Sequence, residues 1–152
     1  LLEHPSGLTD AQIAEREQFV MRFQQLTAPV MAKGVEDTAF YRYFPLASLN
    51  EVGADMTAFG ISVETFHEKN RERQEVWPHT MLAASTHDTK RSADVRARLN
   101  VLSEIPENWN FALTRWQEMN QKFKGKDGDD PVPDANDEYL FYQTVVGTWP
   151  LY

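Results

Sequence analysis

Cysteine is absent from this 152-residue chain, so neither a disulfide frame nor a thiolate zinc site can form. A chain without cysteine suits the cytoplasm, and that is its expected compartment. Long apolar runs are also missing: nothing approaches the roughly 18 consecutive apolar residues that cross a bilayer, and no segment has the layout of a signal peptide. Positive charge is scarce, with 15 Lys and Arg against 23 Asp and Glu and a formal net charge of −8. Nucleic acid and anionic membrane surfaces repel such a chain, so neither is an expected partner and a neutral substrate fits better. No glycine-rich phosphate loop and no GxSxG elbow occurs, which removes the commonest nucleotide and acyl-transfer signatures. The histidines His4, His67, His79 and His87 lack the paired spacing of a helical zinc site, so no metal or other cofactor is expected.

What remains has the make-up of a globular protein. Hydrophobic residues form 41% and charged residues 25% of the chain, enough to build a core. Aromatics reach 12%; they can stack on sugars, although burial in a core is their commoner use. The length suits one domain or a slice of a larger one. Leu1 at the start and Trp149-Pro150-Leu151-Tyr152 at the end read as cuts, so residues 1–152 are expected to be a single segment of something larger.

Local signals place the elements. Thr9 with Gln12 three residues on forms a capping box before Ile13, Val20, Phe23 and Val30, a roughly helical stripe that Pro29 should kink or end. Met31 to Tyr43 fits a short helix. Pro45, Gly53 and Gly60 punctuate a loop, after which Ser62 caps a charged helix through Glu64, Phe66 and Arg73 with a thin apolar face. Met81-Leu82-Ala83-Ala84 reads as a short buried strand whose polar end opens into Ser85-Thr86-His87-Asp88-Thr89-Lys90-Arg91. Val95, Leu99 and Leu102 make a helical stripe, and Pro106 opens another helix with Trp109, Ala112, Trp116, Met119 and Phe123 on one face. Residues 124–137, rich in Gly, Pro and Asp, read as a flexible acidic loop before a last helix near Asn136 carrying Leu140, Phe141, Thr144 and Val145. The fold class that follows is mainly α, a helical segment with one or two short strands.

Chemistry concentrates at Thr86 to Arg91, where Asp88, Lys90, Arg91, His87 and, one helical turn on, Asp94 crowd one strand end. An ionised Asp88 beside Lys90 or Arg91 can stabilise a developing oxocarbenium ion or grip sugar hydroxyls, with His87 donating a hydrogen bond to the same sugar. Spacing leaves a plain alternative open: a helix N-terminus capped by Asp88, with Arg91 and Asp94 as a surface pair. Lys33, Glu36 and Asp37 beside Phe40, Tyr41, Tyr43 and Phe44 are a second candidate pocket, although spacing alone favours a solvated helical face with local ion pairs. Asp127, Asp129 and Glu138 fall at calcium-loop positions, but Pro131 and Val132 break the loop where its turn needs glycine, so calcium is not expected.

The run Ala28-Pro29-Val30-Met31-Ala32-Lys33-Gly34-Val35-Glu36-Asp37-Thr38-Ala39-Phe40-Tyr41-Arg42-Tyr43 closely resembles a signature of the maltooligosyl trehalose synthases, in the α-amylase clan of glycoside hydrolases. So do Ser48-Leu49-Asn50-Glu51-Val52-Gly53, the block Ser85 to Arg91 with Asp94-Val95-Arg96-Ala97-Arg98, and Asn136-Asp137-Glu138-Tyr139 through Trp149-Pro150. Residues before Phe19 match less clearly, and Ala54-Asp55-Met56 stands where the family pattern has Gly-Asp-Pro. The resemblance implies a fold derived from a (β/α)8 barrel, whose strand C-termini carry the active site. It implies Asp88 as the carboxylate that steadies the transition state and His87 as a sugar contact in the cleavage subsite. Lys90 and Lys33 would hold the released sugar for reattachment, and Glu36, Asp37, Arg91 and Asp94 would support them.

The implied reaction is an intramolecular transglucosylation that turns the reducing-end α-1,4 bond of a maltooligosaccharide into an α,α-1,1 bond. It retains configuration, which calls for a nucleophilic carboxylate and an acid/base carboxyl about 5 Å apart. Neither family block that carries them is found in residues 1–152, and both are expected upstream. The chain alone should then be inactive. Its expected partners are the maltooligosaccharide and the rest of the catalytic barrel, with self-association through apolar surface that the barrel would otherwise cover. A trehalose-releasing hydrolase of the same clan and a non-catalytic helical carbohydrate-binding module stay open as alternatives.

Overall fold

The computed structural model describes residues 6–150, so His4, Leu1, Leu151 and Tyr152 lie outside the described residues. The chain divides into two compact units, Leu1–Tyr41 and Arg42–Tyr152.

The first unit is built on helix α1, Asp10–Met31. Its start is the capping box expected from sequence: Gln12 N–H donates to Thr9 Oγ1 at 3.4 Å, and Thr9 N–H donates to Gln12 Oε1 at 3.0 Å. Of the two outcomes expected at Pro29, a kink or an end, the end does not occur there: the helix runs on to Met31. So near the C-terminus its missing N–H costs a single bond, and the chain continues before widening into a π turn at Ala32–Glu36. A 3-10 turn follows at Ala39–Tyr41, so the single short helix expected over Met31 to Tyr43 is two unlike turns. Val20 and Phe40 are buried, while Phe19, Leu26, Val30 and Met31 stay largely exposed.

The second unit holds α2 (Val63–Val76), α3 (Ala93–Asn100), α4 (Pro106–Asn120), α5 (Ala135–Thr148) and a hairpin of β1 (Gly125–Asp127) with β2 (Asp130–Val132). Ser62, Ser92 and Asp134 are the N-caps of α2, α3 and α5, each accepting backbone N–H groups that the first turn leaves unpaired. Pro106 opens α4, where its absent N–H is no loss. Helix α2 buries none of its side chains.

The core gathers Phe44, Leu46, Ala47, Leu99 and Leu102, with Val95, Trp109, Tyr139, Leu140 and Val146 packed around it. Each fully covered leucine contributes about 1.5–3 kcal/mol by leaving water. Helices α3 and α5 cross closely because Gly147 has no side chain: a Cβ there would lie 2.8 Å from Val95 Cγ1.

Two expectations fail here for physical reasons. Met81–Ala84 is not a buried strand: the segment forms no ladder, and Met81 and Leu82 are 96% and 74% exposed. An extended segment becomes a strand only when a neighbour takes up its N–H and C=O groups, and no other segment among the described residues does so. The only described sheet is instead antiparallel β1–β2, inside the stretch read as a loop; Gly128 supplies its turn with φ +61°.

Helix α5 also turns an unexpected face inward. Phe141 is 60% exposed, whereas Glu138, Tyr142, Gln143 and Gly147 are buried. Gln143 Oε1 accepts from Ala47 N–H at 2.7 Å, and its Nε2 donates to Phe44 C=O at 3.3 Å. Glu138 accepts from Tyr142 Oη at 2.7 Å and pairs with Lys124 Nζ at 2.5 Å, while Asn120 Nδ2 donates to Tyr142 Oη at 2.8 Å. Burial raises the Glu138 pKa, but the hydrogen bonds from Lys124 and Tyr142 and the Lys124 charge outweigh it, so the carboxyl is held below its ordinary value. Burial pushes the Tyr142 phenol up, helped by the Glu138 carboxylate and opposed by the Asn120 hydrogen bond.

Candidate functional site

His87 and Asp88 occupy the middle of a tight turn closed by two threonines. Thr89 N–H donates to Thr86 C=O at 3.3 Å, Thr86 N–H to Thr89 Oγ1 at 2.6 Å, and Asp88 N–H to Thr86 Oγ1 at 3.3 Å. Threonine suits both positions because its hydroxyl can satisfy a nearby backbone group that no helix or sheet takes up. The turn leaves the His87 and Asp88 side chains exposed.

Behind them lies Lys90, whose side chain is 8% exposed and whose Nζ is 3.6 Å from Asp88 Oδ1. A covered ammonium needs anionic or polar partners, and Asp88 is one of them. Sequence allowed either Lys90 or Arg91 beside Asp88; Lys90 has that place, and Arg91 Nη1 donates to Ala47 C=O at 3.3 Å. The plain alternative fails at its first step, because Ser92 and not Asp88 caps α3. Asp94 lies in the first turn of that helix, exposed, where a carboxylate favours the helix dipole. It lines a shallow depression with Arg98, Gly147 and Trp149, and so belongs with the C-terminus of α5.

The second candidate group lies in the first unit. Lys33 Nζ pairs with Asp37 Oδ2 at 2.5 Å, four residues on, with the lysine side chain 78% exposed. Glu36 is half-buried in the same π turn. A surface depression of about 670 Å³ runs along α2 and is lined by Lys69, Glu72, Arg73, Val76, Trp77 and Thr80. None of the candidate residues lines it.

Sequence reasoning missed what holds the turn. Glu51 Oε1 accepts from Lys90 N–H at 2.9 Å and from Val52 N–H at 3.0 Å; Oε2 is 3.5 Å from both Arg91 N and Arg96 Nη1. Arg96 Nη2 donates in turn to Ala84 C=O. Glu51 lay in a block singled out for its resemblance, and a carboxylate beside Gly53 was the available signal, but nothing local tied it to residues 39 positions away.

A provisionally named maltooligosyl trehalose synthase of Mycobacterium tuberculosis is 41% identical over 144 residues, which is 95% of this chain. The chain is homologous to a segment of the maltooligosyl trehalose synthases. Solved structures agree: a hypothetical maltooligosyl trehalose synthase of Sulfolobus tokodaii superposes with a TM-score of 0.78 at 39% identity over 92% of the chain. A second, described as DSM5389 glycosyltrehalose synthase, gives 0.73 at 39% identity over 97%. The chain spans 18% of the length of the Mycobacterium relative and 18% and 20% of the two structures. No protein-family model matches it. The described residues are helical with one small sheet, and the mainly α fold class read from sequence stands.

Proposed function

We propose that this chain is part of the catalytic barrel of a maltooligosyl trehalose synthase and supplies the carboxylate that stabilises the transition state, Asp88. The observation that carries this reading is the Asp88–Lys90 pair, an exposed carboxylate 3.6 Å from a covered ammonium at the tip of a fixed turn. As the α-1,4 bond at the reducing end breaks, the terminal glucose leaves with its O4 and positive charge develops at the anomeric carbon and ring oxygen of the preceding unit, which stays joined to the rest of the chain. A fixed carboxylate offsets that charge without reorganising, and it grips sugar hydroxyls more tightly as the ring flattens. His87, beside it on the same turn, donates to the same sugar. The family resemblance gives Lys90 and Lys33 the holding of the released glucose while it turns to present its anomeric hydroxyl for the α,α-1,1 bond; the covered Lys90 acts there through the charge it places behind Asp88. Arg91, Glu36 and Asp37 have supporting parts, whereas Asp94, beside the end of α5, has none at this turn.

The nucleophile and the acid/base carboxyl come from elsewhere in the full-length protein. On this reading the exposed Met81 and Leu82 are a barrel strand whose neighbours belong to the rest of that barrel, the partner that covers them. The enzyme is then an intramolecular transferase of the α-glucan glucosylmutase kind, placed in the cytoplasm.

The test uses maltopentaose and counts reducing ends. Transfer to an α,α-1,1 linkage consumes a reducing end, whereas hydrolysis creates one. Full-length parent should lose reducing ends, and Asp88→Asn should lower kcat by about 100- to 1000-fold. The 152-residue chain alone should form no trehalose-ended product. An Asp88→Asn parent with undiminished turnover would overturn the assignment and favour a binding module; a net gain of reducing ends would favour a hydrolase.

A further inference from the structure

Residues Ala84 to Arg91 form a loop that has almost no packing of its own, since positions 84–88 are exposed. Such a loop should sample many conformations unless something outside it fixes both ends. Glu51 and Arg96 do this together. On the C-terminal side, the Glu51 carboxylate takes the N–H groups of Lys90 and Arg91. On the N-terminal side, Arg96 holds the Ala84 carbonyl while its other nitrogen is 3.5 Å from Glu51 Oε2. One ion pair thus closes the loop, and His87 and Asp88 are presented between the two fixed ends. Both partners are themselves anchored: Arg96 is in α3, and Glu51 follows the buried Asn50, whose Nδ2 donates to Tyr43 C=O at 2.8 Å.

We infer that Glu51, with Arg96, is the positioning residue that sets the catalytic geometry of the His87–Asp88 turn. The inference rests on the proposed role of Asp88. Glu51 touches neither Asp88 nor substrate; it acts through the Lys90 and Arg91 backbone, and hence on where the Lys90 ammonium stands behind Asp88. The residue type is required. Four donors converge on the two oxygens: Val52 and Lys90 N–H on Oε1, Arg91 N–H and Arg96 on Oε2. Only a carboxylate accepts on both sides. Glutamine, with its oxygen in the Oε1 place, keeps the first two bonds and turns an NH2 group toward the other two donors. Aspartate is one methylene short of the loop.

The experiment measures full-length parent, Asp88→Asn, Glu51→Gln, Glu51→Ala and Arg96→Met side by side for kcat and KM on maltopentaose, with urea midpoints. Expected is a fall in kcat of about 10- to 100-fold for Glu51→Ala, the scale of a displaced or unsupported catalytic group, with KM changed far less. Glu51→Gln should fall between parent and Glu51→Ala, and should keep a midpoint close to that of the parent. In the 152-residue chain, Glu51→Gln should speed hydrogen exchange at Arg91 while leaving Leu99 protected. If Glu51→Ala does not fold, Glu51→Gln decides. A kcat within twofold of the parent in the folded Glu51 variants, with Asp88→Asn inactive, overturns this inference alone. Full activity in Asp88→Asn overturns the reading of the site on which it rests.

Discussion

Replacing Gln143 by leucine tests whether the core and the site are connected as described. Gln143 is fully buried, and its amide bonds Ala47 N–H and Phe44 C=O at 2.7 and 3.3 Å. Leucine has similar bulk, so the packing change is small, but it strands both backbone groups away from water. An unsatisfied buried donor or acceptor costs about 1–3 kcal/mol, so the two cost about 2–6 kcal/mol, and the leucine returns about 1 kcal/mol of apolar burial, leaving a net loss of about 1–5 kcal/mol. With a urea m-value of about 2 kcal/mol/M, the midpoint should fall by about 0.5–2.5 M. Thr144→Ala, one position along on the exposed face of α5, is the control and should move it by far less. The Ala47 peptide also accepts Arg91 Nη1 through its carbonyl. The loosened loop should therefore show at Arg91, as faster amide exchange under native conditions. A Gln143→Leu midpoint equal to that of Thr144→Ala would refute the claim that this amide holds residues 44–47 against α5.

Lys124→Met leaves the Glu138 carboxylate buried without its cation and should cost about 3–5 kcal/mol at neutral pH, read by urea unfolding. In the parent the Glu138 pKa is held below its ordinary 4.5, so its stabilising contribution is fully present above that pH and is lost as pH falls through the lowered value. In Lys124→Met only burial and the Tyr142 hydrogen bond remain; the variant should become less handicapped relative to the parent as pH falls, and a gap that widens toward acid would contradict the pairing. Gly147→Ala places a methyl 2.8 Å from Val95 Cγ1, on a stiff β-branched side chain. Overpacking of about 1–3 kcal/mol should exceed the gain in helix propensity of about 1 kcal/mol, and a raised melting temperature would show that the α3–α5 crossing relaxes freely. Phe19, Leu26, Met31, Trp77, Met81 and Leu82 all present apolar surface, so sedimentation of the chain should show concentration-dependent association; a strict monomer at high concentration would count against it.

Much of the local structure was legible because its causes are local. Thr9 with Gln12, Ser62 and Pro106 mark helix starts through bonds made or missing within one turn, and the Val95, Leu99, Leu102 stripe needed only a period of 3.6. The His87–Asp88 turn could be suspected from the density of polar residues around it. The Met81–Ala84 strand could not be judged in the same way, since strand formation is a property of two segments and not one. Pro29 shows where a local rule reaches less far: two residues before the last residue of α1 it does not end the helix, because little is left there to break.

By itself the sequence determined where α1, α2 and α4 begin, that no thiol chemistry is available, and which blocks resemble a maltooligosyl trehalose synthase. Tertiary structure alone decided that α5 buries Glu138 and Gln143 in preference to Phe141, because a polar side chain is covered cheaply only when distant backbone or charge meets it. It alone brought Glu51 to the Lys90 and Arg91 amides and Arg96 to Ala84. Hydrogen-bond partners so far apart in the chain leave no periodic trace, and only the folded backbone brings donor and acceptor within reach.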